Sequence, residues 1–408
     1  MADYPIVDLD LSAKVGPPGS HFREIDELRE RHRWFWNTEA QGYWVLTRYA
    51  DIREAFQTPE IFGNHSIVPT DPDPAYRFLP SYTDPPVHMK YRSPLNRWFS
   101  PKAVADLTPT VRAYAARLVD GLVAEGATDF MTSIGDYLPA LTFASAAHLP
   151  ETDVPFLINC ANRISGTVTA VGLDPVGAMN DIKAYFSELV KDREKQPLDP
   201  AEDFLTHLMG VTIDDRPIDS EELLDTCMTL AFGSLDTTKS VLGWCFWHLA
   251  AHPTDREWVV RDPSIIPSAV EEFLRAYPIV SMARKVKQDV DFHGCPMKKD
   301  DMVLLSIQSA TRDPDVFENP QEVRLDRSPN RHIAFGASEH RCLGSHLARA
   351  ELCIAIEEWH KRIPDYRIRP DREVLAHGGQ ISILALPLEW DVPAAGPAVE
   401  QDHHNHFK

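Results

Sequence analysis

The hydrophobic pattern of the chain is dominated by residues 221–251, which are apolar on nearly every side of a helical projection. A helix of that kind runs through the middle of a fold, because it leaves no polar face for solvent. Its centre carries a polar run, Gly233, Ser234, Leu235, Asp236, Thr237 and Thr238, that interrupts the apolar stretch. Helical spacing also marks residues 107–125, 134–148, 174–193 and 268–276, with shorter helices at 22–32, 49–57 and 345–359. Asp84, Pro85 and Pro86 start one more. Runs of β-branched and aromatic residues predict strands at 42–47, 283–288, 290–293 and 302–306. The sum is a mainly α chain with a small β region.

The connections carry their own signals. Residues 62–86 are rich in Pro and Asp, lack periodicity and exceed an ordinary connection in length, which predicts a functional lid or binding loop. Asp313, Pro314, Asn319 and Pro320 mark an irregular meander. His377, Gly378 and Gly379 read as a turn between strands whose tip reaches the substrate cavity. The length fits one large or two moderate domains, the former spanning residues 1–408 with polar tails at about 1–20 and 394–408.

With 43% hydrophobic residues, the 408-residue chain has enough apolar material for a large core. Six scattered cysteines without metal-type spacing read as reduced thiols and place the protein in the cytoplasm. The net charge of −20 argues against nucleic acid and against anionic membrane surfaces as partners, and no apolar run suits a signal peptide or a membrane anchor. His403, His404 and His406 lie in a polar tail without further ligands and are not read as a metal site. No repeat and no phosphate-binding glycine loop is present, so nicotinamide and flavin chemistry falls to other proteins.

Candidate chemistry concentrates at residues 335–344, which run into the last helix. Cys342 stands at that helix mouth, where free N–H groups and the dipole favour a thiolate. Gly336 and Gly344 allow sharp turns and close approach to a flat partner, against which Phe335 can lie. His340 and Arg341 flank the sulfur with groups suited to carboxylates. Cys160, Cys227, Cys245, Cys295 and Cys353 read as buried small hydrophobes. In the central helix, the Thr237 hydroxyl reaches the Gly233 carbonyl four residues back and locally opens the helix.

Phe335, Gly336, Ala337, Ser338, Glu339, His340, Arg341, Cys342, Leu343 and Gly344 resemble the haem-binding loop of the cytochrome P450 family, Phe-Gly-x-Gly-x-(Arg or His)-x-Cys-x-Gly, with Ser338 in place of the second glycine. The resemblance extends over about residues 43–390 and is to the soluble bacterial, camphor-hydroxylase-like type. It implies a triangular helical prism with haem b between the central helix and the cysteine-loop helix, and Cys342 as the axial ligand of the iron.

Further roles follow from that resemblance. His88 and Arg92, four residues apart on one helical face, and Arg284 hold the haem propionates. Asp236 and Thr237 deliver protons. Glu272 and Arg275 form a buried network whose third member is Arg327. The substrate pocket includes Tyr76, Leu230, Gly233 and Val280; Tyr76 either donates a hydrogen bond to substrate or packs beneath the loop. The implied activity is insertion of one atom of O2 into a C–H bond of a small or medium apolar molecule, terpenoid or aromatic. Electrons come from a ferredoxin or flavodoxin with its NAD(P)H reductase, docked beside Arg92, Arg97, Lys102, Arg341 and Arg349 of a monomer. A peroxygenase and a haem-based binding or sensing protein are the alternatives.

Overall fold

A computed structural model describes residues 4–10, 14–165 and 173–392. The helix Ser220–Ala251 forms its axis, and at 1.5 Å per residue it extends roughly 48 Å. It starts at a capping box: Asp219 accepts from the Glu222 N–H at 2.8 Å, and Glu222 accepts from the Asp219 N–H at 3.2 Å. Helices Tyr137–Ala146, Val154–Ser165, Pro175–Lys195 and Ser345–His360 pack around it.

The opening expected at its centre is not a break. The backbone stays helical from end to end, because the polar side chains bond within the helix itself: Thr237 Oγ1 donates to Gly233 O at 2.7 Å and Ser240 Oγ to Asp236 O at 2.9 Å. Below the helix, aromatic rings fill the core, with Phe130 stacked on Phe246 at 4.0 Å and Trp244 on Tyr277 at 5.1 Å.

A six-stranded mixed sheet lies to one side, in the order Ile6–Val7, Trp34–Asn37, Tyr43–Leu46, Met302–Leu305, Met282–Val286, Phe62–Gly63. Arg284, on its fifth strand, pairs in register with Val303. The strand predictions hold to within two residues at each end. A hairpin, Ala376–His377 with Ser382–Ile383, forms a second small sheet.

The polar tail expected over the first twenty residues is not a tail where it is described. Ile6–Val7 pairs in parallel with Trp34–Asn37, and Val15–Gly16 pairs with Ala376–His377. Asn37 supplies the reason, since its side chain accepts from Leu9 N–H and donates to Leu9 O, both at 2.9 Å. Main-chain pairing of this kind needs no apolar sequence. The other tail, with His403, His404 and His406, lies outside the described residues.

Helix boundaries moved where caps outweigh periodicity. The helix expected at 107–125 is Pro101–Asp120, started by Ser100 Oγ accepting from Ala103 N–H at 3.2 Å with Pro101 in the first turn. The one expected at 134–148 opens as a π turn, Met131–Gly135, before the α-helix Tyr137–Ala146. Helices Val154–Ser165 and Pro253–Arg261 were not anticipated. Among the described residues no helix is long and apolar enough to cross a membrane.

Candidate active site

The cysteine loop is wound tightly by its own main chain. Gly336 (φ 71°) and Ser338 (φ 61°) both lie in the left-handed region, so the serine occupies a conformation that glycine takes without strain. Gly336 N–H bonds to Ile333 O and Cys342 N–H to Phe335 O, both at 2.8 Å. Gly344 caps the helix Ser345–His360. The Cys342 side chain is exposed, although protein crowds closely around it. Burial pushes the thiol up, while the Gly344 N–H, Arg92, Arg341 and Arg349 pull it back without overcoming burial. The helix mouth alone therefore does not make the thiolate, and a bound metal cation is what would complete it.

Four basic side chains gather around the cysteine loop. Arg92 Nη2 donates to Arg341 O at 2.6 Å, which ties the helix Val87–Asn96 to the cysteine loop. Arg284 is buried, donates to Ala283 O at 2.7 Å and lies over the Phe56 ring. Burial lowers it to about 10, with only Asp84 opposing. His88 and His340 stand ring to ring, centroids 4.0 Å apart; neither nitrogen of His88 has a hydrogen-bond partner, nor has Nε2 of His340. Buried donors without acceptors call for an anionic ligand. Gly233 and Gly344 have nothing within 4 Å of where a Cβ would be, leaving room for a flat group. A planar, metal-bearing dianion such as haem fits this set.

The same geometry gives a pH dependence. Burial first, then Arg92, lowers His88 to about 4, and burial, His88 and Arg284 lower His340 to about 3. A histidine with a depressed folded pKa contributes stability that is present above its unfolded value near 6.5 and lost as pH falls toward the folded one. Cofactor-free protein is expected to lose about 2 kcal/mol between pH 7 and 5 through His88. Denaturant titrations of wild type and His88→Phe at both pH values test this, and equal losses in the two proteins refute it.

The central helix is open at the small residues of its middle. Gly233 is exposed and Thr237 half-exposed in a helix otherwise largely buried. Asp236, one residue away, is 1% exposed. Burial raises its carboxyl to about 6, with Lys239, Ser165 and Gln380 opposing and Asp136 adding to the rise. The hairpin tip expected in the substrate cavity ends on this residue, since Gln380 Nε2 donates to Asp236 Oδ2.

Two consecutive glutamates of the helix Ile266–Ala276 clamp the loop from behind. Glu272 accepts from Arg275 Nε and Nη2 at 2.8 Å, from Arg327 Nε at 3.0 Å, from Arg324 N–H at 2.9 Å and from Asn330 Nδ2 at 3.1 Å. Glu271, which the sequence reading missed, takes His332 Nε2 at 2.9 Å and Arg349 in two bonds of 2.5 and 2.9 Å. Arg349 also covers the Phe335 ring at 4.6 Å. It is thus a structural cation and no free member of a docking patch. Arg92, turned inward to Arg341 O, leaves the patch as well.

The long loop forms an aromatic roof. Tyr76 meets Phe78 at 5.0 Å, and Phe78 stacks on Phe232, beside Gly233, at 5.7 Å. Arg77 pairs with the buried Asp225 of the central helix at 3.1 Å, fastening the loop down, and Lys183 of the helix Pro175–Lys195 pairs with the same carboxylate at 2.5 Å. Leu230 is buried in the apolar cluster that contains Phe78, whereas Val280 packs on a different cluster with Trp244 and Leu274.

The family profile described as Cytochrome P450 matches residues 167–259 and 264–359. A probable cytochrome P450 127A1 of Sinorhizobium fredii is 31% identical over 355 residues, 86% of this chain and 84% of the relative. A methyl-branched lipid omega-hydroxylase of Mycobacterium tuberculosis is 30% identical over 363 residues, 86% of this chain and 84% of the relative. The crystal structure of CYP101J2 superposes with a TM-score of 0.85 at 30% identity, covering 96% of this chain and 100% of that one. With identity at this level across most of both chains and a fold shared over their length, the thiol, the basic rim and the helix hydroxyl acquire one meaning: this chain belongs to the cytochrome P450 family.

Proposed function

We propose that this chain is a ferredoxin-dependent haem-thiolate monooxygenase that hydroxylates a small or medium apolar molecule, terpenoid or aromatic. Family membership supplies the coarser statement, a P450 monooxygenase with haem b as cofactor and O2 as co-substrate. The observation that carries the reading is the exposed thiol of Cys342, in a loop beside which His88, His340, Arg92 and Arg284 gather.

When bound, thiolate-ligated haem supplies activation of dioxygen. Cys342 would hold the iron, His88, Arg92, Arg284 and His340 would hold the carboxylates, and Phe335 would pack against the cofactor. Thr237, its proton committed to Gly233 O at 2.7 Å, offers lone pairs that accept from water in the pocket. Asp236, raised to about 6, takes up and releases a proton near neutral pH. The roof of Tyr76, Phe78, Tyr82 and Phe232 suits a compact apolar substrate. The chain works as one catalytic domain and as a monomer.

The carrying observation is tested by reducing the haem-loaded protein under carbon monoxide. Wild type is expected to show the red-shifted band that names the family, and Cys342→Ser to lack it. A wild-type spectrum without that band ends the assignment.

Arg97 and Arg341 are exposed, and Lys102 is exposed and paired with Asp106 at 2.6 Å. On a protein of net charge −20, this patch beside the cysteine loop steers an acidic electron donor. Arg341→Glu and Arg97→Glu are each expected to slow reduction by a ferredoxin about tenfold at low salt and to flatten its salt dependence. Stopped-flow rates that stay at the wild-type value in both move the docking face elsewhere.

A further inference from the structure

Lys239 is 3% exposed in the middle of the largely buried central helix. A buried ammonium is costly unless it is paired and hydrogen-bonded. Its Nζ lies 2.6 Å from Asp136 Oδ1 and donates to Asn162 Oδ1 at 2.7 Å. Asp136 stands where the π turn gives way to the α-helix, its N–H bonded five residues back to Met131 O at 2.8 Å. That wide turn aims the carboxylate at Lys239. The Asp136 side chain is 9% exposed against 4% for Lys239, so the acid is the member of the pair nearer to solvent.

Asp236 is three residues back on the same helical face. Its Oδ2 is held from the hairpin side by Gln380, which also donates to Ser240 Oγ at 3.0 Å, and Ser240 reaches Ser382 at 3.0 Å. Its Oδ1 is buried without a hydrogen bond of ordinary geometry, with the Ser165 hydroxyl of the neighbouring helix near enough to favour its charge. Beside it lies a cavity of about 10 Å³, lined by Asp136, Asn162, Asp236 and Lys239 together with Ile158, Ala161 and Leu235. That is close to the room one water requires, and four polar groups surround it. Two of the three ammonium donors of Lys239 are taken, and one remains for the cavity.

We propose that Asp136, Lys239 and Asn162 form a proton port for Asp236, in which a water held in this cavity carries protons from Asp136 to Asp236 Oδ1. The proposal rests on the reading of Asp236 and Thr237 as the proton relay. Only O–H bonds form and break: solvent protonates Asp136, Asp136 gives that proton to the water, and the water gives one of its own to Asp236. Lys239 takes no part in the transfer and is a positioning residue. With all three groups ionised the cluster carries one net negative charge, and a proton on Asp236 cancels it. The charges therefore make opposite predictions for their removal: loss of Lys239 tightens proton binding at Asp236, and loss of Asp136 weakens it.

The test is an infrared titration of the Asp236 carboxyl in the ferric holoenzyme, the band being assigned by its disappearance in Asp236→Asn. Lys239→Met is expected to raise proton affinity about tenfold and Asp136→Asn to lower it by a similar factor. A midpoint that is unmoved in both, or that moves the same way in both, overturns the port. Ala161→Val fills the cavity without touching the ion pair and covers the case in which a charge variant does not fold. With whichever small apolar compound gives the largest spin-state change on binding, it is expected to lower product per electron several-fold and to raise the solvent isotope effect; wild-type values for both overturn the port. If Asp236→Asn leaves product per electron unchanged, the relay reading fails, whatever the titrations show.

Discussion

Glu272→Ala is expected to destabilise the protein by about 3–5 kcal/mol and to leave little of it haem-loaded. The carboxylate is 0% exposed and is the acceptor for both Arg275 and Arg327, themselves 0% and 7% exposed. Removing it strands two buried guanidinium groups, together with the Arg324 N–H and the Asn330 amide that bond it at 2.9 and 3.1 Å. The remaining acceptors of Arg275, the carbonyls of Pro320 at 2.8 Å, Glu322 at 3.0 Å and Thr311 at 3.3 Å, fix the meander but do not neutralise charge. Glu272→Gln keeps the shape and loses the charge, so it should fall between. Unfolding free energy and haem per chain after purification are the measurements. A Glu272→Ala protein within 1 kcal/mol of wild type and fully loaded shows that the meander is held by something else.

Thr237→Ala is expected to keep haem content and the substrate-induced spectral shift while product per electron falls about tenfold and peroxide rises to match. General acid–base groups contribute roughly 10²–10⁴-fold, and water can replace part of this one. The side chain's bond to Gly233 O at 2.7 Å is intrahelical, and the helix around it is continuous, so its loss should be structurally mild. Thr237→Ser, which retains the hydroxyl, should recover most of the yield. An undiminished product yield in Thr237→Ala removes this hydroxyl from the proton route.

Much of the site was legible because its signals are short in sequence. The cysteine loop occupies ten consecutive residues, His88 and Arg92 are a helical turn apart, and Glu272 and Arg275 share a face. What escaped depends on partners far along the chain. Glu271 looks like any surface glutamate until Arg349 and His332 arrive, 78 and 61 residues later. Arg349 was accordingly read as a docking cation. Lys239 was passed over because lysine is rarely buried, and the acid that buries it is aimed by a π turn that no periodicity announces. The first residues looked like a tail because strands held by main-chain bonds need little from their side chains. The thiolate was read from the helix mouth alone, without the burial that opposes it.

Val15–Gly16 borders Ala376–His377, and Gly378 N–H bonds to Lys14 O at 2.8 Å, two residues before Gln380 reaches Asp236. The leading segment thus buttresses, at second hand, the acid at the heart of the molecule. Trimming it to tidy an expression clone would slacken a strut that ends on Asp236, some 220 positions downstream.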